Sequence, residues 1–419
     1  MIRTNPPSLH SYAVAALFTT ALACVATAHA AADKKGDPLA DLLVEKGVVS
    51  ADDVAQLPDR SALPKGLAGM EFEALAYIDY SAGSKGEPGD DSDSFNRFTL
   101  GRGYLTVKKG ILPWMYARTT LDVHQDSTED WKVRLKYLYA ELRPSDAGPL
   151  TQMKSEIGLG HIPWLDFEEH INPYRVQGTM AIERAGIFNS ADLGVSLRGN
   201  LGGKLEDAKK RTGNGHYDGQ YGSWHVGVYN GGGYHAAEKN EDKVWEGRLT
   251  VRPLPDMAPG LQVSYLGITG DGNTDPGPDY SVNLGMMSYE HPWFILAGQY
   301  FQTAGNAKGS YLDGSGDSLD TEGYSLFGNV KLPVADGRLA AFARYDHFDA
   351  DKDGEVADDA DYDLALAGLA FDLHNGNLIL IDYETVSYGD DSGGLGSGPS
   401  VGDDRGDDER IQIVYQLKY

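Results

Sequence analysis

Closely spaced charged residues fall within one stretch of chain that is too long for an ordinary hairpin loop. Between Pro163 and Ala191 stand Glu168, Glu169, Arg175, Glu183 and Arg184, whereas most hairpin connections need only about 2–5 residues. Carboxylates and guanidiniums held across a narrow passage set the sign of what enters it and orient dipolar solutes. Salt bridges that pin the stretch to a neighbouring surface would use Glu183 and Arg184 equally well, and both uses can coexist. A second group comprises Arg118, Lys132, Arg134 and Lys136. Three of these recur at every second position, so one face of an extended segment would carry a basic stripe able to face the acids. Neutralisation by carboxylates nearby in the sequence, Asp122 and Glu141, is its other reading.

A third pattern is Asp349-Ala350-Asp351-Lys352-Asp353-Gly354-Glu355-Val356. Asp349, Asp351, Asp353 and Glu355 put oxygen donors at alternate positions around a glycine, the opening of a calcium loop. Calcium needs about 6–8 oxygens, and the twelfth position is Ala360 rather than glutamate. A solvated acidic loop is therefore the competing reading. No cofactor is required, and calcium in this loop is the one ion the sequence offers. The motifs of serine hydrolases, zinc proteases and phosphate-binding loops are absent.

Positioning such groups requires a frame, and the chain's two ends indicate which one. Tyr12 to Ala28 is mostly apolar and uncharged, follows Arg3, and closes on Ala28-His29-Ala30. That is a secretory signal over 1–30, too short in its apolar part to span a bilayer. The single cysteine, Cys24, falls inside it, so disulfides and cysteine metal sites are excluded from the exported chain. At the other end, Ile411, Ile413, Tyr415, Leu417 and Tyr419 alternate with Gln412, Gln416 and Lys418. One face is oily and the other polar. A chain ending on an aromatic at such a strand is like the closing strand of an outer-membrane barrel.

Between these ends, 31–69 reads as a short periplasmic helical hairpin and linker, with Leu39, Leu42 and Leu43 on one face and Ser50 and Asp53 forming a capping box. From residue 70 to 419, period-two segments begin near Glu71, Phe95, Trp114, Trp131, Gln152, Asp192, Ser223, Lys243, Leu261, Tyr280, Trp293, Glu322, Arg338, Tyr362, Asn377 and Glu409. The expected fold is all-β: a closed antiparallel up-and-down transmembrane barrel of about sixteen strands. Short and long connections alternate as such a barrel demands, with Gly83 to Ser94, Gly305 to Thr321, Asp349 to Asp361 and Ser387 to Asp408 forming long acidic external loops. Leu201 to Gly222 breaks the parity, as a missed or misplaced strand would.

Hydrocarbon offers no partner for a free backbone group, so the sheet has to close on itself. On the segment from Trp131, the residues Trp131, Val133, Leu135, Tyr137 and Tyr139 are expected to face lipid, and Lys132, Arg134 and Lys136 the lumen. A cation against lipid near the midplane would cost roughly 2–4 kcal/mol. Trp114, Trp131, Trp224, Trp293 and Tyr300 lie near strand ends, where interfacial aromatics belong.

The middle of the chain resembles the phosphate-selective porin O and P family. The residues that carry the resemblance are Gly158-Leu159-Gly160-His161-Ile162-Pro163-Trp164, Phe167-Glu168-Glu169, Ile182-Glu183-Arg184 and Ala191-Asp192-Leu193-Gly194-Val195. Val226-Gly227-Val228-Tyr229-Asn230-Gly231 and Gly247-Arg248-Leu249-Thr250-Val251 follow in the same order. His161 and Ala191 differ from the family's usual glutamine and arginine. The resemblance implies a trimeric channel of sixteen strands whose third external loop folds inward to constrict a water-filled pore. The expected partners are outer-membrane lipid, small hydrophilic solutes and lipopolysaccharide, to which the acidic external loops would bridge through divalent cations.

With 36 Lys and Arg against 62 Asp and Glu, the formal net charge is −26. Such a chain is no nucleic-acid binder, and the balance leaves the sign of any ion preference open. Two other readings fit parts of the pattern. One is the barrel component of a porin–cytochrome electron conduit; the other is a secreted, acidic, calcium-dependent β-rich binding module.

Overall fold

The computed structural model describes residues 46, 69–89, 91–125 and 130–419. The expected signal and helical hairpin therefore lie outside the described residues, apart from Lys46 and Gly69.

Sixteen strands occupy the described residues. They are β1 (Met70–Glu87), β2 (Asp91–Leu112), β3 (Met115–Gln125), β4 (Trp131–Leu142), β5 (Leu150–His161), β6 (Ala191–Leu201), β7 (Gly222–Tyr229) and β8 (Val244–Val251). The second half comprises β9 (Leu261–Asp271), β10 (Asp279–His291), β11 (Phe294–Ala304), β12 (Asp320–Lys331), β13 (Leu339–Asp349), β14 (Asp361–His374), β15 (Asn377–Tyr388) and β16 (Asp408–Lys418). Each strand pairs antiparallel with its sequence neighbours. β1 also pairs with β16, Ala76 opposite Leu417, so the sheet has no free edge.

Side-chain alternation is the reverse of a soluble protein's. On β6, Leu193 and Val195 are exposed on the outer face, while Asp192 and Ser196 are buried within. On β8, Trp245, Leu249 and Val251 point out, and Glu246, Arg248 and Thr250 point in. Trp114, Trp131, Trp293 and Tyr300 present their rings outward. Such a cylinder is a membrane-spanning wall, because it pairs its own backbone and offers hydrocarbon an apolar surface.

Glycine matters at two places. Asn375 and Gly376 have φ of 54° and 80°, the positive pair that closes the tightest β-hairpin turns, here joining β14 to β15. At Gly158 (φ 126°) a Cβ would sit 2.4 Å from the carbonyl of Leu138, so β5 can cross β4 only without a side chain there.

Three expectations need correction. The alternation expected along β4 inverts at Lys136. Thr120 pairs with Tyr137 and Leu121 with Leu135, which leaves Lys136 as the extra residue of a β-bulge. Beyond it, Tyr137, Tyr139 and Glu141 turn inward and Leu138 turns out. Second, no strand is missing between Leu201 and Gly222. That connection carries a short helix, α3 (Ala208–Thr212), and its parity is that of a turn. Third, Gly83 to Ser94 is not a long loop. β1 and β2 stay paired to Glu87 opposite Asp91, and on the other edge of β1, Gly83 and Gly86 let the backbone at Glu409 and Gly406 come closer than any Cβ would allow.

Candidate functional site

The segment between β5 and β6 folds inward. Pro163 ends the strand, and α1 (Leu165–Ile171), a single turn at Arg175–Gln177 and α2 (Ala181–Arg184) follow. Its apolar side chains, Trp164, Leu165, Phe167, Ile171, Met180 and Ile182, are all at most 2 % exposed. They join one hydrophobic cluster with inward-facing residues of the far wall: Leu284 and Met286 on β10, Phe327 on β12, Phe342 on β13 and Leu364 on β14. Tyr174 lies 4.9 Å from the Phe342 ring. Burying each such side chain contributes roughly 1.5–3 kcal/mol. The inward segment is therefore packed against that wall as a core is.

Wall residues also pair with buried backbone carbonyls of the inward segment, as a polar backbone out of water requires. Arg248 donates to the Pro163 carbonyl at 2.9 Å, Arg344 to that of Thr179 at 2.7 Å and Gln412 to that of Gln177 at 2.8 Å. Arg184 reaches Glu384 at 2.7 Å, and Arg410 holds the same carboxylate at 2.9 Å. Glu168 accepts from the Trp164 indole and the Gln299 amide, each at 2.7 Å. Burial pushes its pKa up to about 7, against the opposing pull of Arg344.

The segment's other face is charged. Arg175 bridges Glu169 and Glu183 at 2.8 Å each. Burial alone would raise the pKa of Glu169, but Arg175, then Arg102 and Lys136, hold it below the ordinary carboxylate value. Opposite this triad stands the wall of β2, β3 and β4. Arg102 approaches Glu169 at 4.0 Å and lies over the rings of Tyr77 and Tyr104, at 5.3 and 4.9 Å from their centres. Lys136 donates to the Tyr104 hydroxyl at 2.6 Å. Arg118 lies 4.5 Å from the centre of Tyr137 and 3.4 Å from His161 Nε2. Arg134 pairs with Asp122 at 2.8 Å. Lys132 sits farther along β4, opposite His124.

The structure thus brings Glu169, Arg175 and Glu183 together, with Arg102 and Lys136 of the wall beside them, while Arg118 turns to Thr120, His161 and Tyr137 and Arg134 to Asp122. It turns Glu168 and Arg184 the other way, into the wall. Sequence reasoning did not find Arg102, Tyr104 or Tyr234. Arg102 lies beside the register shift where Tyr77 pairs with it and Ile78 with Leu100, so simple alternation misplaces it. Tyr234 comes from the β7–β8 loop and offered no periodic signal.

A second inward element meets the first from the turn end of the barrel. The β6–β7 connection brings Tyr217 against Phe167, ring centres 5.1 Å apart, and its hydroxyl onto Asp166. Asn214 donates to the His170 carbonyl at 2.9 Å and to Glu290 at 2.7 Å. His216 stacks 4.0 Å from His170.

In the acidic β13–β14 loop the carboxylates serve the loop's own backbone. Asp351 accepts the N–H groups of Glu355, Val356 and Ala357 at 2.6–3.0 Å, and Asp349 accepts that of Asp351. Among the described residues no group of three or more metal-ligating side chains converges.

No family model and no curated protein matches the chain in sequence. In structure it is similar to an anion-selective porin from Comamonas acidovorans, with 13% identity and a TM-score of 0.55, over 84% of this chain and 100% of that one. OmpF of Salmonella typhi in complex with daunomycin aligns over 84% and 97%, with 10% identity and a TM-score of 0.54. A trimer form of OmpT, an outer membrane protein of Vibrio cholerae folded in vitro, aligns over 83% and 99%, with 10% identity and a TM-score of 0.51. At such identities the likeness gives the fold: the closed barrel of outer-membrane porins.

Proposed function

We propose that this chain is an outer-membrane porin that passes small hydrophilic solutes passively through the slot beneath its inward segment. The observation that carries this reading is the two-faced lumen. Within a membrane-spanning cylinder the inward segment docks one face by apolar packing, and its other face sets charges of both signs, Arg175, Glu169 and Glu183, beside Arg102 and Lys136 of the wall. A barrel serving only as a wall would have no use for a polar path through it. Charged groups set close across a water-filled path choose and orient what passes. The trimer form of one structural neighbour supports a trimer here. The motif resemblance to phosphate-selective porins belongs to the same reading.

Reconstitution of the purified protein into planar bilayers tests it. Stepwise current increments in potassium chloride are expected, in groups of three if the trimer inserts whole. A folded, heat-modifiable protein that never conducts would overturn the reading.

A further inference from the structure

Two cations beside the triad rest chiefly on aromatic faces. By contrast Arg134 has Asp122 and Arg175 has two glutamates, and Arg118, also without a carboxylate at salt-bridge distance, lies 3.1 Å from the Thr120 hydroxyl and 3.4 Å from His161 Nε2. Lys136 is 3 % exposed, and the one hydrogen-bond acceptor that the described residues give it is the Tyr104 hydroxyl. Its remaining support comes from ring faces: Tyr104, Tyr234 and Tyr137, at 4.7, 5.2 and 5.5 Å from their centres. Arg102 meets no carboxylate nearer than Glu169 at 4.0 Å among the described residues and rests on tyrosine faces too. A buried cation normally takes an anionic partner. Aromatic faces stabilise one by only about 0.5–2 kcal/mol and leave its N–H donors open. Two cations that share one tyrosine, Lys136 at its hydroxyl and Arg102 over its ring, offer a receptor for an anion.

We propose that Arg102, Lys136 and Tyr104 bind a small organic monocarboxylate as it crosses the slot, so that the channel prefers such anions although the whole chain is strongly acidic. The charge count favours one negative charge over two. Arg102 and Lys136 face a triad in which one arginine lies between two glutamates, an excess of a single positive charge. A dianion would set its second charge against Glu169 and Glu183. A guanidinium fork and an ammonium suit a carboxylate's two oxygens. The tyrosine rings around them suit a flat, weakly hydrated remainder.

This inference rests on the porin reading, and one bilayer experiment separates the two. A potassium chloride gradient gives the reversal potential, and sodium benzoate is then added to one side. An anion-selective reversal potential is expected, with brief current interruptions at millimolar benzoate. Lys136→Gln and Arg102→Gln should each reduce the interruptions at least tenfold. Lys108→Gln, which removes a cation of β2 that already pairs with Glu73 at 2.7 Å, should leave them unchanged. A conducting channel with a cation-selective reversal potential would overturn the proposal and spare the porin reading. So would interruptions that survive both substitutions, or inorganic phosphate interrupting as strongly as benzoate. A channel that never conducts would instead sink the porin reading itself. Heat-modifiable mobility of each variant confirms that the barrel has formed.

Discussion

The inner wall of this barrel has two unlike halves. From β9 to β15 the inward face carries the apolar residues that pack with the inward segment, Val282, Leu284, Phe342, Leu364 and Leu380 among them, interleaved with buried polar groups such as Gln299, Arg344 and Glu384 that hold it. From β1 to β5 it carries Asp79, Arg102, Arg118, Asp122, Lys136 and Glu156, interleaved with Tyr77, Tyr104, Tyr137 and Tyr139. The segment between β5 and β6 obeys both halves at once: its apolar side seats it, and its charged side faces the path. Holding and selecting are therefore divided between opposite walls. Damage to one half should be read as stability and damage to the other as permeation.

The sharpest way to break that division is to unseat the segment. Trp164→Ala should cost about 3–5 kcal/mol, as large-to-small changes at fully buried aromatics do, and should raise conductance while blurring selectivity. Denaturant unfolding in detergent together with single-channel recording would check it. If unfolding is unchanged, the apolar packing is not what holds the segment. Next in size is Arg184→Ala, which removes a charged hydrogen bond to a buried carboxylate. Because Arg410 still holds Glu384 at 2.9 Å, about 1.5–3 kcal/mol is expected rather than the cost of a fully orphaned charge.

The seat should also respond to pH through Glu168. Its pKa is raised by burial to about 7, so its contribution is fully present below the ordinary glutamate value. It is lost as pH rises through about 7, when a buried carboxylate must ionise. The barrel should resist denaturant better at pH 5 than at pH 8.5, and Glu168→Gln should flatten that difference. A profile that Glu168→Gln leaves unaltered would assign it elsewhere. The smallest stability effect belongs to the charged half. Glu183→Gln keeps an amide oxygen that can accept from Arg175, leaves Arg175 its bond to Glu169, and should cost about 1 kcal/mol, yet shift the reversal potential toward anions. A large stability loss there would erase the distinction between the halves.

The sequence made the wall legible and its interior much less so. Sixteen period-two segments stand where sixteen strands form, and the C-terminal Ile411–Tyr419 alternation marks the seam. Those signals are local, and lipid on one side enforces them. Glu169, Arg175 and Glu183 were legible only as charges gathered in one overlong connection. The packed half was not. On β10, Tyr280, Val282, Leu284 and Met286 face in while Met287 and Tyr289 lie on the other face, so both faces read as oily and alternation cannot say which is inside. At Lys136 a single extra residue reversed the pattern, and a bulge has no sequence signature of its own here. The long charged turn after Leu201 read as an error in strand counting because its partners, Phe167, His170 and Glu290, are distant in the chain.

The contacts of Gln177 and Arg184 with β15 and β16 have a consequence for biogenesis. Their receptors, Glu384, Arg410 and Gln412, belong to the last strands to be synthesised. Until those strands arrive, the oily filling has no complete seat, and contacts so remote in sequence form slowly. A chain stalled before residue 384 would expose Trp164, Phe167 and Ile182 to the periplasm, where a holding chaperone or a protease would find them. Closing the cylinder and hiding its filling are one event.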